Sequence, residues 1–132
     1  MANLSELPAE LKYTKEHEWA RMAHDGALVG ITRFAADQLG DVVFVELPEV
    51  GASLTAGQPF GVVESVKSVS DLFSPFTGTV MATNDDLRDA PELVNEDPYG
   101  RGWMLKIKRD ANKENEEDLL SAEEYHTLIQ EH

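Results

Sequence analysis

Cysteine is absent from this chain, which excludes disulfides, thiolate metal ligands and a cysteine nucleophile. Basic side chains are scarce: 11 Lys and Arg stand against 25 Asp and Glu, a formal charge of −14. A surface of that sign repels phosphate backbones and anionic lipid, so nucleic acid and membranes are excluded as partners and basic patches on proteins are favoured. No apolar run approaches the length that crosses a bilayer. The opening Met1-Ala2-Asn3-Leu4-Ser5-Glu6 has neither a basic start nor a hydrophobic stretch, and the expected compartment is the cytoplasm. There is also no His-Glu-x-x-His, no Gly-x-Ser-x-Gly elbow and no phosphate-cradling glycine loop, so the chain offers no catalytic residues of its own.

What is present is enough for a folded core. The hydrophobic fraction is 42% over 132 residues, which fits one domain spanning residues 1–132. Residues 1–10 read as a polar lead-in. The segment 11–23 reads as one or two strands, His24-Asp25-Gly26 as a turn and 27–31 as a short buried strand. Thr32 is placed to cap a short helix from Arg33 to Leu39 that stops at Gly40. The run Asp41 to Leu47 is the densest apolar stretch, and its density implies burial on both faces or at a sheet crossing. A strand over 79–84 follows, then a long connection over 85–102 with at most one helical turn, then a strand over 103–108. The tail, 111–132, holds seven acids and one lysine. Within it Ser121-Ala122-Glu123-Glu124 forms a capping box that opens a helix, with Leu119, Leu120, Tyr125, Leu128 and Ile129 as its apolar stripe. Many short strands separated by Gly and Pro indicate a mostly β fold, a flattened barrel or sandwich.

One lysine stands apart. Lys67 is the only Lys or Arg between Arg33 and Arg88, an interval that holds eight acids. Apolar strand-like segments flank it, and Val66-Lys67-Ser68-Val69 reads as a hairpin turn with valines anchoring the strand ends and the polar pair at the tip. An exposed turn lysine is ordinarily a solvated charge, so position alone assigns it no role. Glu16-His17-Glu18 with His24 suggests a metal or general base. In a strand, however, His17 and Glu18 point to opposite faces, and no metal is expected. Trp19 and Trp103 are read as core or edge packing.

Several blocks carry a family likeness: Lys12-Tyr13-Thr14-Lys15-Glu16-His17-Glu18-Trp19, Gly40-Asp41-Val42-Val43-Phe44-Val45-Glu46-Leu47-Pro48, Gly61-Val62-Val63-Glu64-Ser65-Val66-Lys67, Ser70-Asp71 and Asp97-Pro98-Tyr99. Through them the chain resembles the glycine cleavage H-protein family of lipoyl carriers, over about residues 11–130. Glycines stand 16 residues before and 11 after Lys67, as lipoyl domains tend to place them. Ser68 departs from the family, where alanine is common. A biotin carrier is disfavoured by the valine and serine that flank the lysine.

The resemblance implies a fold of the lipoyl-carrier type, a short internal helix and a C-terminal helix. It implies lipoate amide-linked to Lys67, Glu64 as a determinant for the lipoyl-attaching enzyme, and Glu18 with Asp71 lining a cleft where the loaded arm rests. The implied partners are a pyridoxal-phosphate glycine decarboxylase, an aminomethyltransferase that passes the one-carbon unit to tetrahydrofolate, and dihydrolipoyl dehydrogenase. The resemblance implies that the chain is a monomeric carrier, not an enzyme, that shuttles the aminomethyl group of glycine among them. A relay that hands lipoate to other complexes shares the same lysine, and a binding module with Lys67 unmodified is the remaining alternative.

Overall fold

A computed structural model describes residues 7–109 and 119–130. Residues 1–6, 110–118 and 131–132, with the expectations placed on them, lie outside the described residues. The short alternating segments form two antiparallel sheets. The larger contains β1 (Lys12–Tyr13), β2 (Glu18–Ala23), β3 (Gly26–Ile31), β9 (Leu105–Arg109), β8 (Gly78–Thr83) and β5 (Ser53–Leu54), in that spatial order. The smaller contains β4 (Val42–Glu46), β6 (Pro59–Ser65) and β7 (Val69–Phe73). The result is a mostly β, flattened sandwich of two facing sheets.

Buried residues contributed by both sheets, among them Val29, Val63, Leu72, Val80, Leu105 and Ile107, form one core cluster. Removing such side chains from water is the main force that holds the sheets together. A second cluster lies under the C-terminal helix α4 (Ala122–Gln130), where Leu7, Leu11, Tyr13 and Trp19 meet Ala122, Tyr125 and Ile129. Tyr13 and Tyr125 stack with ring centroids 4.9 Å apart. Trp19 is fully buried, its Nε1 donates to Pro98 O at 2.9 Å, and its indole lies across Gly30, where a β-carbon would come within 2.7 Å of the ring.

Helix boundaries follow the local chemistry. α1 (Arg33–Leu39) opens with the Thr32 hydroxyl accepting from Ala35 N and ends at Gly40, φ +80°, a conformation that glycine adopts without steric cost. The capping box before α4 closes in both directions: Ser121 N donates to Glu124 Oε1 at 2.9 Å and Glu124 N donates to Ser121 Oγ at 3.2 Å.

Four expectations need correction. The connection 85–102 contains two one-turn helices, α2 (Asp86–Asp89) and α3 (Leu93–Glu96), because the backbone on either side of Pro91 can turn locally without a continuous apolar stripe. β4 is not buried on both faces: Val43 is 48% and Phe44 51% exposed, since the smaller sheet covers the core with one face only. Val66 and Val69 are exposed as well, so the hairpin is anchored by other atoms, described below. The lead-in is not wholly polar in function, because Leu7 is buried under α4.

Candidate functional site

β6 and β7 pair antiparallel with Glu64 opposite Val69, leaving residues 66–68 as the connecting turn. Ser65 builds this turn. Its Oγ accepts from Lys67 N at 3.3 Å and from Ser68 N at 3.1 Å, while Ser65 N donates to Ser68 O at 2.8 Å. Val66 N donates to Asp41 O at 3.1 Å, which ties the tip to the start of β4. A buried serine thus holds an exposed lysine on a short, tightly bonded turn. Lys67 makes no ion pair among the described residues. Its stem lies over the end of α1, with Cε 3.5 Å from where a β-carbon on Gly40 would stand.

Beside the tip lies an open cavity of about 520 Å3. Its walls are Glu16, His17 and Glu18 on one side, Phe34, Ala35, Gln38 and Leu39 of α1 on another, and Ser68 to Leu72 on the third. The residue after Lys67 is therefore part of the rim. The stem of Lys67 thus runs beside Gly40, next to Leu39 and Gln38 of the cavity wall.

Glu18 is the titratable group placed deepest in it, only 2% exposed. Its Oε1 accepts from Thr14 Oγ1 at 2.7 Å and its Oε2 from Phe73 N at 3.1 Å, so it joins the two sheets. Burial pushes its carboxyl up to about 8, against the pull of those two donors, with Glu16 adding a smaller upward push. Glu18 also lines a second cavity of about 140 Å3, bounded by Thr14, Lys15, Gly57, Phe73 and Ser74. The expectation that His17 and Glu18 diverge as strand neighbours is wrong in its premise. His17 precedes β2 with φ +73°, and both residues line the same cavity. The Tyr125 hydroxyl lies 2.8 Å from His17 Nδ1 and 2.7 Å from Thr32 Oγ1. That shared hydroxyl pins α4 to the cavity wall and to the cap of α1.

Asp71 reaches the cavity from β7 but is exposed. Its register partner is Val62, itself opposite Glu46, so Asp71 belongs to the rim where Glu18 belongs to the wall. Glu64 lies elsewhere, exposed on the outer face between Phe44 and Val69. The contributions of Thr14, Ser65, the Phe73 amide and the Tyr125 hydroxyl were not readable from residue type. Ser65-x-x-Ser68, with a hydroxyl three residues before a turn exit, is the one local signal that points to such a clamp.

Residues 11–132 match the family model described as glycine cleavage H-protein. The chain is 63% identical over 119 residues to the glycine cleavage system H protein of Magnetococcus marinus, covering 90% of this chain and 84% of that one. It is 58% identical over 125 residues to the probable glycine cleavage system H protein of Haloarcula marismortui, covering 95% and 98%. The crystal structure of a glycine cleavage system H protein from Mycobacterium marinum superposes with a TM-score of 0.87 at 40% identity, over 94% of this chain and 99% of that one.

Proposed function

The chain belongs to the glycine cleavage H-protein family, the lipoyl carriers of the glycine cleavage system, and on that footing we propose that Lys67 is the residue that carries the lipoyl group. One observation supports this above others: an exposed lysine, with no ion pair among the described residues, on a turn whose next residue rims a cavity of about 520 Å3. The residues present fit the group. The wall offers apolar contact from Phe34, Ala35 and Leu39 for a hydrocarbon chain, and polar groups at its far side. When bound, the dithiolane supplies the sulfur that takes up and gives back the aminomethyl group of glycine.

This chain's own residues do the rest. Ser65 fixes the direction in which Lys67 leaves the turn, and Gly40 leaves its stem a path. The α1 and β7 walls shield two sides of what lies between them from bulk water. Glu18, desolvated and already held by Thr14 and Phe73, is kept neutral by its burial in the cleft; a cationic amine brought beside it favours the carboxylate and meets it with a charge-assisted hydrogen bond worth about 1.5–3 kcal/mol. Asp71 adds negative charge at the rim. The working partners of this reading are the pyridoxal-phosphate glycine decarboxylase, the aminomethyltransferase and dihydrolipoyl dehydrogenase, with the lipoyl-attaching enzyme acting first.

The test is exchange of labelled carbon dioxide into glycine by the decarboxylase. The lipoylated chain should support it, and the unmodified chain and Lys67→Arg should not. A lipoylated chain that leaves the decarboxylase idle contradicts the carrier reading and favours a relay of lipoate.

A further inference from the structure

Six large hydrophobic side chains are exposed among the described residues, and four of them, Val43, Phe44, Val66 and Val69, surround the Lys67 turn. The register explains how they gather. Phe44 stands opposite Glu64 on one side and Val69 stands opposite Glu64 on the other, so the three form one cross-strand row on the outer face of the smaller sheet. Val43 sits at the irregularity between Val42 and Phe44, and Val66 is in the turn itself, 70% exposed. Exposed carboxylates are set into it: Glu64 stands at the centre of the row, with Asp41, whose carbonyl accepts from Val66 N, and Glu46 at its edges. A cluster of exposed apolar side chains set among carboxylates of one sign fits a partner that brings both apolar and basic groups.

The geometry points to one occupant, the enzyme that forms the amide on Lys67, docking through an apolar depression edged by Lys or Arg side chains. This rests on Lys67 being the modified residue. Reach selects the occupant. A lysine side chain extends only roughly 6 Å from its Cα, so an enzyme that acylates Nζ must bring its reacting carbonyl down onto the turn and cover the residues around it. Enzymes that act on the finished arm meet its sulfurs at more than about twice that distance and have no need of the patch. In the acylation the neutral Nζ attacks the carbonyl carbon of a lipoyl adenylate. The C–N bond forms, the bond from carbon to the phosphate oxygen breaks, AMP leaves with that electron pair, and the nitrogen releases one proton. Charge complementarity gives the border its sign: no Lys or Arg other than Lys67 occurs between Arg33 and Arg88. A second copy is a poor occupant, since each chain carries a formal −14.

The experiment uses the full, unmodified chain with the attaching enzyme and saturating lipoyl adenylate. Initial rates come from intact mass, and affinity comes from titrating the enzyme with the chain. Phe44→Ser and Val43→Thr, at positions that do not line the cavity, should each raise both KM for the chain and Kd about tenfold, with kcat changed by less than about twofold. Val50→Thr, an exposed valine away from the turn, should match the wild type, and Glu64→Gln should flatten the dependence of KM on salt. Val43→Thr keeps a β-branched residue in the strand, so its melting temperature should stay that of the wild type even if Phe44→Ser folds poorly. Wild-type KM and Kd in Val43→Thr overturn the proposal. So does normal acylation of the patch variants combined with loss of carbon dioxide exchange, or a wild-type dimer that they abolish. A wild type that is acylated elsewhere, or not at all, defeats the assignment of Lys67 and not merely of the patch.

Discussion

Glu18 is a carboxyl group taken almost wholly out of water and given two hydrogen-bond donors, with no cationic side chain paired to it among the described residues. Burial is the larger influence and raises its pKa from 4.5 to about 8. The folded chain therefore keeps this proton to higher pH than the unfolded chain does. The stability contributed by the neutral form is present in full below about 4.5 and is lost as pH rises through about 8. Across that window the loss is on the order of a few kcal/mol. Glu18→Gln removes the titration, so the wild type should lose stability relative to the variant as pH rises, measured by urea melts. Parallel curves for the two chains would show that Glu18 is already ionised in the fold. The same group should shelter cargo. In Glu18→Gln, which keeps hydrogen-bond partners for Thr14 Oγ1 and Phe73 N, attachment of lipoate and folding should be unchanged, but spontaneous release of ammonia from the loaded carrier should be several-fold faster, timed without the transferase. Equal decay rates would mean that Glu18 does not guard the arm.

At the scale of elements, the hairpin β6–β7 is the working part and the helices are its supports. Ser65 bonds both backbone N–H groups of the tip, so the position of the lysine along the turn matters as well as its exposure. Ser68 lines the cavity, where Lys67 does not. Exchanging the two, Lys67→Ser with Ser68→Lys, should cut the initial rate of lipoylation about tenfold or more through misplacement alone. Equal rates for wild type and exchange would show that the attaching enzyme reads only an accessible amine. Much of this element structure was legible. Thr32, Gly40 and the Ser121–Glu124 box are capping chemistry, which depends on neighbours three or four residues away. The one-turn helices on either side of Pro91 were not legible, because a single turn leaves no periodicity to read. The burial of Glu18 was not legible either: a glutamate amid other charges has the pattern of surface, and only tertiary packing of β7 against the start of β2 encloses it.

Over the whole molecule, two unequal sheets explain both what the sequence pattern predicts well and what it misses. The larger sheet is lined by the core along β3 and β9 and covered near β1 by α4, so its strands read correctly as buried. The smaller sheet leaves one face in water, and there Val43 and Phe44 break the rule that a dense apolar run is an inside run. The cleft between α1, β7 and the His17 turn exists only once both sheets are closed, which is why Lys67 was visible in sequence and its cavity was not. On the proposed function, this closed frame presents Lys67, and no other lysine, for acylation. Mass spectrometry of the chain after incubation with the attaching enzyme and lipoyl adenylate tests it most directly. A single lipoyl adduct mapping to Lys67 in the wild type, and no adduct on a folded Lys67→Arg chain, is the predicted result; an adduct on Lys67→Arg, or on Lys106 or Lys108 of the wild type, would contradict it.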